Sequence, residues 1–417
     1  MKIKFITLGC KVNQYETQSL REIFLANGFE ETFTKADFYF INTCSVTHSA
    51  DRKSIKYIRK AKRQNPQAKI LVTGCLAEKD RELIEKEKVD YIVSQSQKYR
   101  IPSILNLESK LNLENNLSLK ISDFYLNRAF VKIQDGCDNF CSFCKIRLIR
   151  GKSKSRPAEE IVREIKFLLE KGFKEIVLCG INLGSYNYQG KDLISLLKLL
   201  IKIKGLGRLR LSSIEPQYVS KELLNLISST EKICPHLHIP FQSGSDKILK
   251  LMNKKVKSSF YRELVSKIKK IIPDCGISAD FMVGFPYEGE DDFKKTIRLI
   301  EEINPVRSHI FPYSERKQTP SSKFPKIPSR LMRERKEIAI QVGEEASFRF
   351  RKSQEKKRFK VVLEENPEKS YSRGYTENYI RVLLKEAFPL KDICSKSLIP
   401  IVIDKVTSKI TYAQLLK

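Results

Sequence analysis

The hydrophobic pattern of the first hundred residues switches between two periods. Three runs, "IKFITL", "ADFYFINT" and "AKILVTG", are short, continuous and rich in β-branched or aromatic residues. Such runs mark buried strands. Between them "YETQSLREIFLANG" and "SADRKSIKYIRKAKRQ" repeat at helical spacing, the first closing on Gly28 as a helix stop. A fourth run, "VDYIVSQ", completes the set. Strand–helix alternation predicts a parallel sheet of βαβ units over residues 1–103.

Residues 104–122, rich in Leu, Asn and Ser without a clear period, read as a linker. Beyond it the alternation resumes. Strands are predicted at "RAFVKIQDGC", "EIVLCGIN", "RLRLSSIEP", "HLHIPFQS", "GISADFMVGFP" and "RSHIFPYSE". Helical patterns such as "AEEIVREIKFLLEKG" and "KDLISLLKLLIKIKG" separate them. Six βα units over 123–350 predict a partial (β/α)6 barrel, with chemistry in the loops at the strand C-termini. After the charged helical stretch "SRLMRERKEIAIQVGEEASFRFRKSQEKKR", the short β-type runs "FKVVLEE", "GYTENYIRVLLK" and "LIPIVIDKV" within 351–417 suggest a small β-barrel. The fold class is α/β with an appended all-β module.

Composition narrows the function. Lys and Arg number 78 against 49 Asp and Glu, a net charge of +29. Such an excess repels itself unless a polyanion shares the surface, so nucleic acid is the leading partner. A solvated Lys-rich surface is the plainer alternative. No apolar run is long enough to span a bilayer, and "MKIKFITLGC" is too short a stretch for a signal peptide. The chain reads as cytoplasmic, with no membrane partner. Ten cysteines in that compartment point to metal or redox work rather than disulfides, and four histidines leave sulfur as the main ligand.

The cysteines fall into two groups. Cys10, Cys44 and Cys75 follow three successive predicted strands, 34 and 31 residues apart. A parallel sheet gathers its strand C-termini on one edge, so topology would bring them together. Cys137, Cys141 and Cys144 lie in the first barrel loop with spacing C-x3-C-x2-C. Three thiolates leave one iron of a four-iron cluster open, and an open metal position can bind a substrate. Zinc with a further ligand is the alternative for either group. Cys179, Cys234, Cys275 and Cys394 have no matching partners and read as core or idle thiols.

The motif C-x3-C-x-F-C, with Phe143 before its last cysteine, resembles the radical S-adenosylmethionine (SAM) enzymes. "TLGCKVNQYET", "NTCSV" and "TGCLAE" resemble the N-terminal domain of the methylthiotransferases within that superfamily, and "LSSIEP", "HLHIPFQSGSDKILKLMN" and "DFMVGFP" resemble their barrel loops. "SRGYTENYIRVLL" with "LIPIVIDKVTSKITYAQL" resembles the TRAM module that ends many of them. "GCKVNQYET" is most similar to the MtaB-type branch, which acts on tRNA carrying N6-threonylcarbamoyladenosine at position 37. The isopentenyladenosine and ribosomal-protein branches are the alternatives within the family. A zinc-stabilised, non-catalytic RNA-binding protein is the alternative from another class.

The resemblance implies two [4Fe-4S] clusters: a SAM-cleaving one on Cys137, Cys141 and Cys144, and an auxiliary, sulfur-bearing one on Cys10, Cys44 and Cys75. A radical from SAM would take hydrogen from C2 of the adenine, and a second SAM would supply the methyl group. Candidate SAM contacts are Phe143, Gly180, Asn182, Ser213, Glu215, Gln242 and Asp280 at predicted strand ends. An anticodon stem-loop of tRNA, a sulfur source and an electron donor such as flavodoxin or ferredoxin are implied partners.

The chain departs from the family in two places. After the third cysteine, where an apolar residue and Ile-Pro-Tyr are usual, it reads Lys145, Ile146, Arg147, Leu148; and "VGFPYEGED" is one residue longer than "VGFPGET". Six cations without an acid, Lys145, Arg147, Arg150, Lys152, Lys154 and Arg156, follow the cluster loop and read as an RNA-facing rim. Lys145 or Arg147 is expected to favour the anionic modified base. In the C-terminal module, 15 Lys and Arg against 8 acids from Arg351 onward, with Tyr371, Tyr375 and Tyr379 interleaved, suit RNA. Tyr375, Tyr379 and Arg381 are the candidates there.

Overall fold

The apolar runs of the N-terminal region are strands, and all six residues of Phe38–Thr43 are buried. The computed structural model describes residues 1–364, 372–384 and 396–416. β1 (Lys2–Thr7), β2 (Phe38–Thr43), β3 (Lys69–Gly74) and β4 (Tyr91–Ser94) lie side by side in a parallel sheet, in chain order, with Glu30–Glu31 at the outer edge. Helix Lys11–Ala26 returns the chain from β1 to β2, and helix His48–Gln64 from β2 to β3. The second helix starts where Thr47 caps it, its side chain accepting from the Ala50 N–H.

The six predicted barrel strands form. They are β5 (Ala129–Lys132), β6 (Glu175–Cys179), β7 (Arg208–Leu211), β8 (His236–Gln242), β9 (Gly276–Val283) and β10 (Arg307–Pro312). All neighbours pair in parallel; the halves β5–β6–β7 and β8–β9–β10 meet through single bridges Leu209–Ile233 and Ser213–His238. Their outward residues, such as Leu237, Ile239, Phe241, Ala279, Phe281 and Val283, pack with the surrounding helices into the largest hydrophobic core. The helix expected over "KDLISLLKLLIKIKG" ends at Leu200, well before Gly205.

β11 (Arg358–Glu364), β12 (Ser372–Tyr375), β13 (Arg381–Leu384), β14 (Ile399–Val406) and β15 (Thr411–Leu415) close a barrel in the order 11-12-13-15-14. The run "GYTENYIRVLL" is therefore two strands, not one: Thr376–Ile380 turns back on itself through the bond from Thr376 N–H to Ile380 O. That turn docks against the base of the large barrel. Arg208 donates to Lys360 O and Tyr375 O, and Arg210 to Glu377 O and Thr376 O, at 2.7–2.9 Å. Glu175 neutralises both arginines from inside the barrel.

Candidate functional site

Cys10, Cys44 and Cys75 each follow one of three adjacent parallel strands, so they share the C-terminal edge of the sheet. The first two loops touch: a methyl on Gly9 would lie 3.2 Å from Cys44 Sγ. Asn13, in the helix that starts at Lys11, ties them by donating to Leu8 O at 2.9 Å and Thr43 O at 3.0 Å. Cys75 opens the short helix Cys75–Lys79, and the Leu76 N–H donates to Thr43 Oγ1.

Cys137, Cys141 and Cys144 curl within the loop that leaves β5. The Cys144 N–H donates to Cys141 O at 3.1 Å, and Asn139 and Ile146 aim N–H groups at the sulfurs of Cys137 and Cys144. Burial pushes the thiols up, Cys141 to about 11 and Cys144 and Cys44 to about 12. Metal-free, these thiols are protonated; a soft metal group bound in place of the protons would ionise them. Neither trio brings all three sulfurs within 4.8 Å of one another. Ligands on one zinc at about 2.3 Å would stand closer than that, whereas thiolates on separate irons of a cluster stand further apart. Neither trio is therefore drawn up as three ligands of one zinc ion would be, and thiolate sulfur is the donor that iron–sulfur clusters take.

Buried ion pairs clamp the two edges face to face. Lys145, the residue after Cys144, holds Asp80 at 3.0 Å, and Arg316 holds Asp51 at 2.6 Å and donates to Ser45, the residue after Cys44. Glu16 takes Lys98, Lys132 and Arg150 in one network, and Arg150 also donates to Asn13 Oδ1 at 2.6 Å. The helix that follows the second trio thus ends on the residue that ties the first.

The chain's relatives fit this architecture. Residues 2–94 match the model described as "Uncharacterized protein family UPF0004" and residues 131–300 that of the "Radical SAM superfamily". The "Threonylcarbamoyladenosine tRNA methylthiotransferase MtaB" of Aquifex aeolicus (strain VF5) is 39% identical over 92% of this chain and 96% of its own length. The protein of the same name from Bacillus subtilis (strain 168) is 35% identical over 92% and 90%. The "tRNA-2-methylthio-N(6)-dimethylallyladenosine synthase" of Thermodesulfovibrio yellowstonii is 34% identical over 89% of each. The chain belongs to the radical SAM methylthiotransferase family. SAM and [4Fe-4S] clusters are the cofactors of this chemistry. The radical SAM methyltransferase TsrM of Kitasatospora setae shares the fold, with a TM-score of 0.54 at 11% identity over 74% of this chain and 72% of its own.

In this methylthiotransferase the expected SAM residues divide. Glu215 lies beside the second trio, paired with Lys254 at 2.6 Å, and both charges act on Cys141. Asn182 is buried and its Oδ1 has no partner among the described residues, an acceptor available to a ligand N–H. Gly180 packs on Gln134, where a methyl would come within 2.9 Å of Oε1. Phe143 packs with Phe285, Ile248 and Met252. Ser213 is half-buried where β7 meets β8, and Gln242 ends β8 with a left-handed φ of 68°. Asp280 is not at a strand end as expected; it sits mid-strand in β9, accepting from His238 Nε2 at 2.8 Å and His309 Nδ1 at 2.9 Å.

Sequence reading missed Lys254 and Gln134. Lys254 follows a helix end without any motif of its own. Gln134 accepts from Ile181 and Asn182 N–H and donates to Gly136 O, so it joins the first two barrel loops. The alternation of the β5 run, which turns Gln134 inward, was the available signal.

The predicted cationic rim needs correction. Lys145, Arg150 and Arg156 are not RNA-facing: their side chains are at most 4% exposed. Lys145 is spent on Asp80, Arg150 on Glu16 and Asp135, and Arg156 on Glu164 at 2.6 Å. Charges buried in a domain seam need carboxylates, and the sequence does not reveal that those arrive from residues 16, 80 and 164. Arg147 is half-buried over the exposed Phe140 ring at 3.9 Å. Lys152 and Lys154 are exposed. Tyr375 and Tyr379 are half-buried. They stack on one another at 4.7 Å, and Tyr379 on His236 at 4.3 Å, plugging the barrel base. Arg381 is exposed. Cys179, Cys234 and Cys275 are buried, while Tyr371 and Cys394 lie outside the described residues.

Proposed function

We propose that this methylthiotransferase acts on tRNA whose adenosine 37 carries an N6-threonylcarbamoyl group, replacing the hydrogen at C2 by a methylthio group. The observation that carries the substrate is the full-length likeness to relatives bearing that name, at 39% and 35% identity over 92% of the chain. In this reading Cys137, Cys141 and Cys144 hold the SAM-cleaving cluster, and Cys10, Cys44 and Cys75 the auxiliary one. When bound, the two groups supply the electron that cleaves SAM and the sulfur that the base accepts.

The chain's own residues position and enclose. Glu215 with Lys254, and the unpartnered Asn182 carbonyl, offer a carboxylate, an ammonium and an acceptor to the amino-acid end of SAM. Gln134 fixes the loops from which those contacts come. The Lys145–Asp80 and Arg316–Asp51 pairs hold the two cysteine edges opposed, so one base can meet both. Lys152, Lys154 and Arg381 remain for phosphates of the anticodon stem-loop.

An electron donor such as flavodoxin or ferredoxin and a sulfur source complete the scheme. A cytoplasmic setting follows from the need for tRNA and SAM together. Among the described residues no helix is long and apolar enough to cross a membrane. The test is deletion of the gene and mass spectrometry of the host's tRNA nucleosides. Loss of 2-methylthio-N6-threonylcarbamoyladenosine is expected. Loss of only the isopentenyl counterpart would move the chain to the other branch.

A further inference from the structure

If Lys145 is locked on Asp80, another group must meet the anionic substituent of the proposed substrate. Lys11 begins the helix that follows Cys10. One turn on, Tyr15 donates to Glu164 at 2.7 Å and Glu16 pairs with Lys132 at 3.0 Å, so this end of the helix lies against the barrel wall at β5. Burial alone would raise the Tyr379 phenol; the cations around it, Lys11 foremost, bring it below its usual value. The Lys11 charge is also felt at His236 and at Cys179. Four residues before Tyr15, Lys11 shares the barrel-facing side of the helix, next to the first trio.

Of the neighbouring cations, Arg128, Arg208 and Arg210 share Glu175, Lys132 has Glu16 and Lys254 has Glu215, while Arg307, the other cation near Tyr379, is exposed. Among the described residues no carboxylate or hydrogen-bond acceptor pairs with half-buried Lys11. On the β8–β10 wall of the same interior stands the His238–Asp280–His309 group, its side chains 18%, 18% and 31% exposed. Each imidazole is oriented by one bond to the shared Asp280 oxygen, which leaves its outer nitrogen for a ligand. An unmatched ammonium and a pair of oriented imidazoles together suit a group that carries a carboxylate with hydroxyl and N–H donors.

We propose that Lys11 binds the carboxylate of the threonylcarbamoyl substituent, and that the His238–Asp280–His309 wall lines the space beside it. This rests on the substrate reading given above. The test uses the full chain, reconstituted anaerobically, and labelled anticodon stem-loops carrying N6-threonylcarbamoyladenosine, its methyl ester or plain adenosine at position 37. Binding is read by fluorescence anisotropy. Wild type should prefer the acid to the ester by about 10- to 100-fold, the range of a charge-assisted contact. Lys11→Met should erase that preference and Lys11→Arg keep most of it.

Equal binding of acid and ester by wild type overturns the proposal without any variant. A Lys11→Met chain that keeps the preference also overturns it. So does one that weakens acid and ester alike, which would make Lys11 a counter-charge for the neighbouring thiolates. The substrate reading fails separately: wild type would then form no methylthio product from the acid stem-loop.

Discussion

Cys137, Cys141 and Cys144 occupy one loop, whereas Cys10, Cys44 and Cys75 come from three strand ends 34 and 31 residues apart. The loop trio is shaped by its own short-range bonds, Cys144 to Cys141 and Asn139 to Cys137. The sheet trio exists only if three parallel strands pair in register and Asn13 bridges the first two of their loops. A site held by local chemistry should tolerate distant damage; a site held by topology should not.

The sharpest way to separate them is by ligand removal. Cys141→Ala should abolish SAM cleavage and lower iron from about eight to about four atoms per chain. Cys44→Ala should lower iron as far but leave SAM cleavage intact, so that 5'-deoxyadenosine forms without methylthio product. Chromatography of the nucleosides with iron assay checks both, and a Cys44→Ala chain that cannot cleave SAM breaks the division of labour.

A backbone lesson comes next in size. Gly74 precedes Cys75 with φ +100°, and a methyl there would lie 2.4 Å from Thr43 O. Gly74→Ala should cost about 3 kcal/mol or more in urea unfolding and empty the sheet trio of iron. Gly136, with φ +74°, would bring its methyl within 2.1 Å of Lys152 O. Gly136→Ala should damage the loop trio instead, leaving the sheet trio loaded.

The clamp between the trios predicts a smaller effect. Lys145→Met strands Asp80, which keeps Arg316 at 3.6 Å, so a loss of about 2 kcal/mol is expected rather than the full cost of a bare buried charge. Lys145→Met with Asp80→Asn should recover much of it in a double-mutant cycle. Unchanged stability with a raised KM for tRNA would return Lys145 to an RNA role. The smallest effects belong to Lys152→Gln and Lys154→Gln. Each should weaken tRNA binding about two- to threefold at moderate salt and reduce the salt slope by about one.

Much of the fold was legible. The continuous apolar runs became β1 to β4, and the six barrel strands stand where the pattern placed them. The reason is that periodicity reports burial, and burial is what strands and helices share with sequence. The exceptions are instructive. "GYTENYIRVLL" read as one strand because its turn residues Thr376 to Tyr379 lack a Gly–Pro signal; docking on Arg208 and Arg210 sets that turn. Both departures from the family's pattern after Cys144 found partners that only folding supplies: Asp80 for Lys145, and the Phe140 ring for Arg147.

The sequence by itself determined which atoms are available: six cysteines in two groups of three, a run of cations and an excess of positive charge. Residue type and spacing carry that information because ligand chemistry depends on the side chain alone. Only the tertiary structure decided which charges remain unpaired. Lys145, Arg150 and Arg156 looked free and are spent, while half-buried Lys11, one lysine among many, has no acid partner among the described residues. A charge's role depends on the partners that reach it: Asp80 for Lys145 and Glu16 for Arg150 are brought near only by the packing of one domain on another, and Glu164 reaches Arg156 only through the fold of the barrel itself.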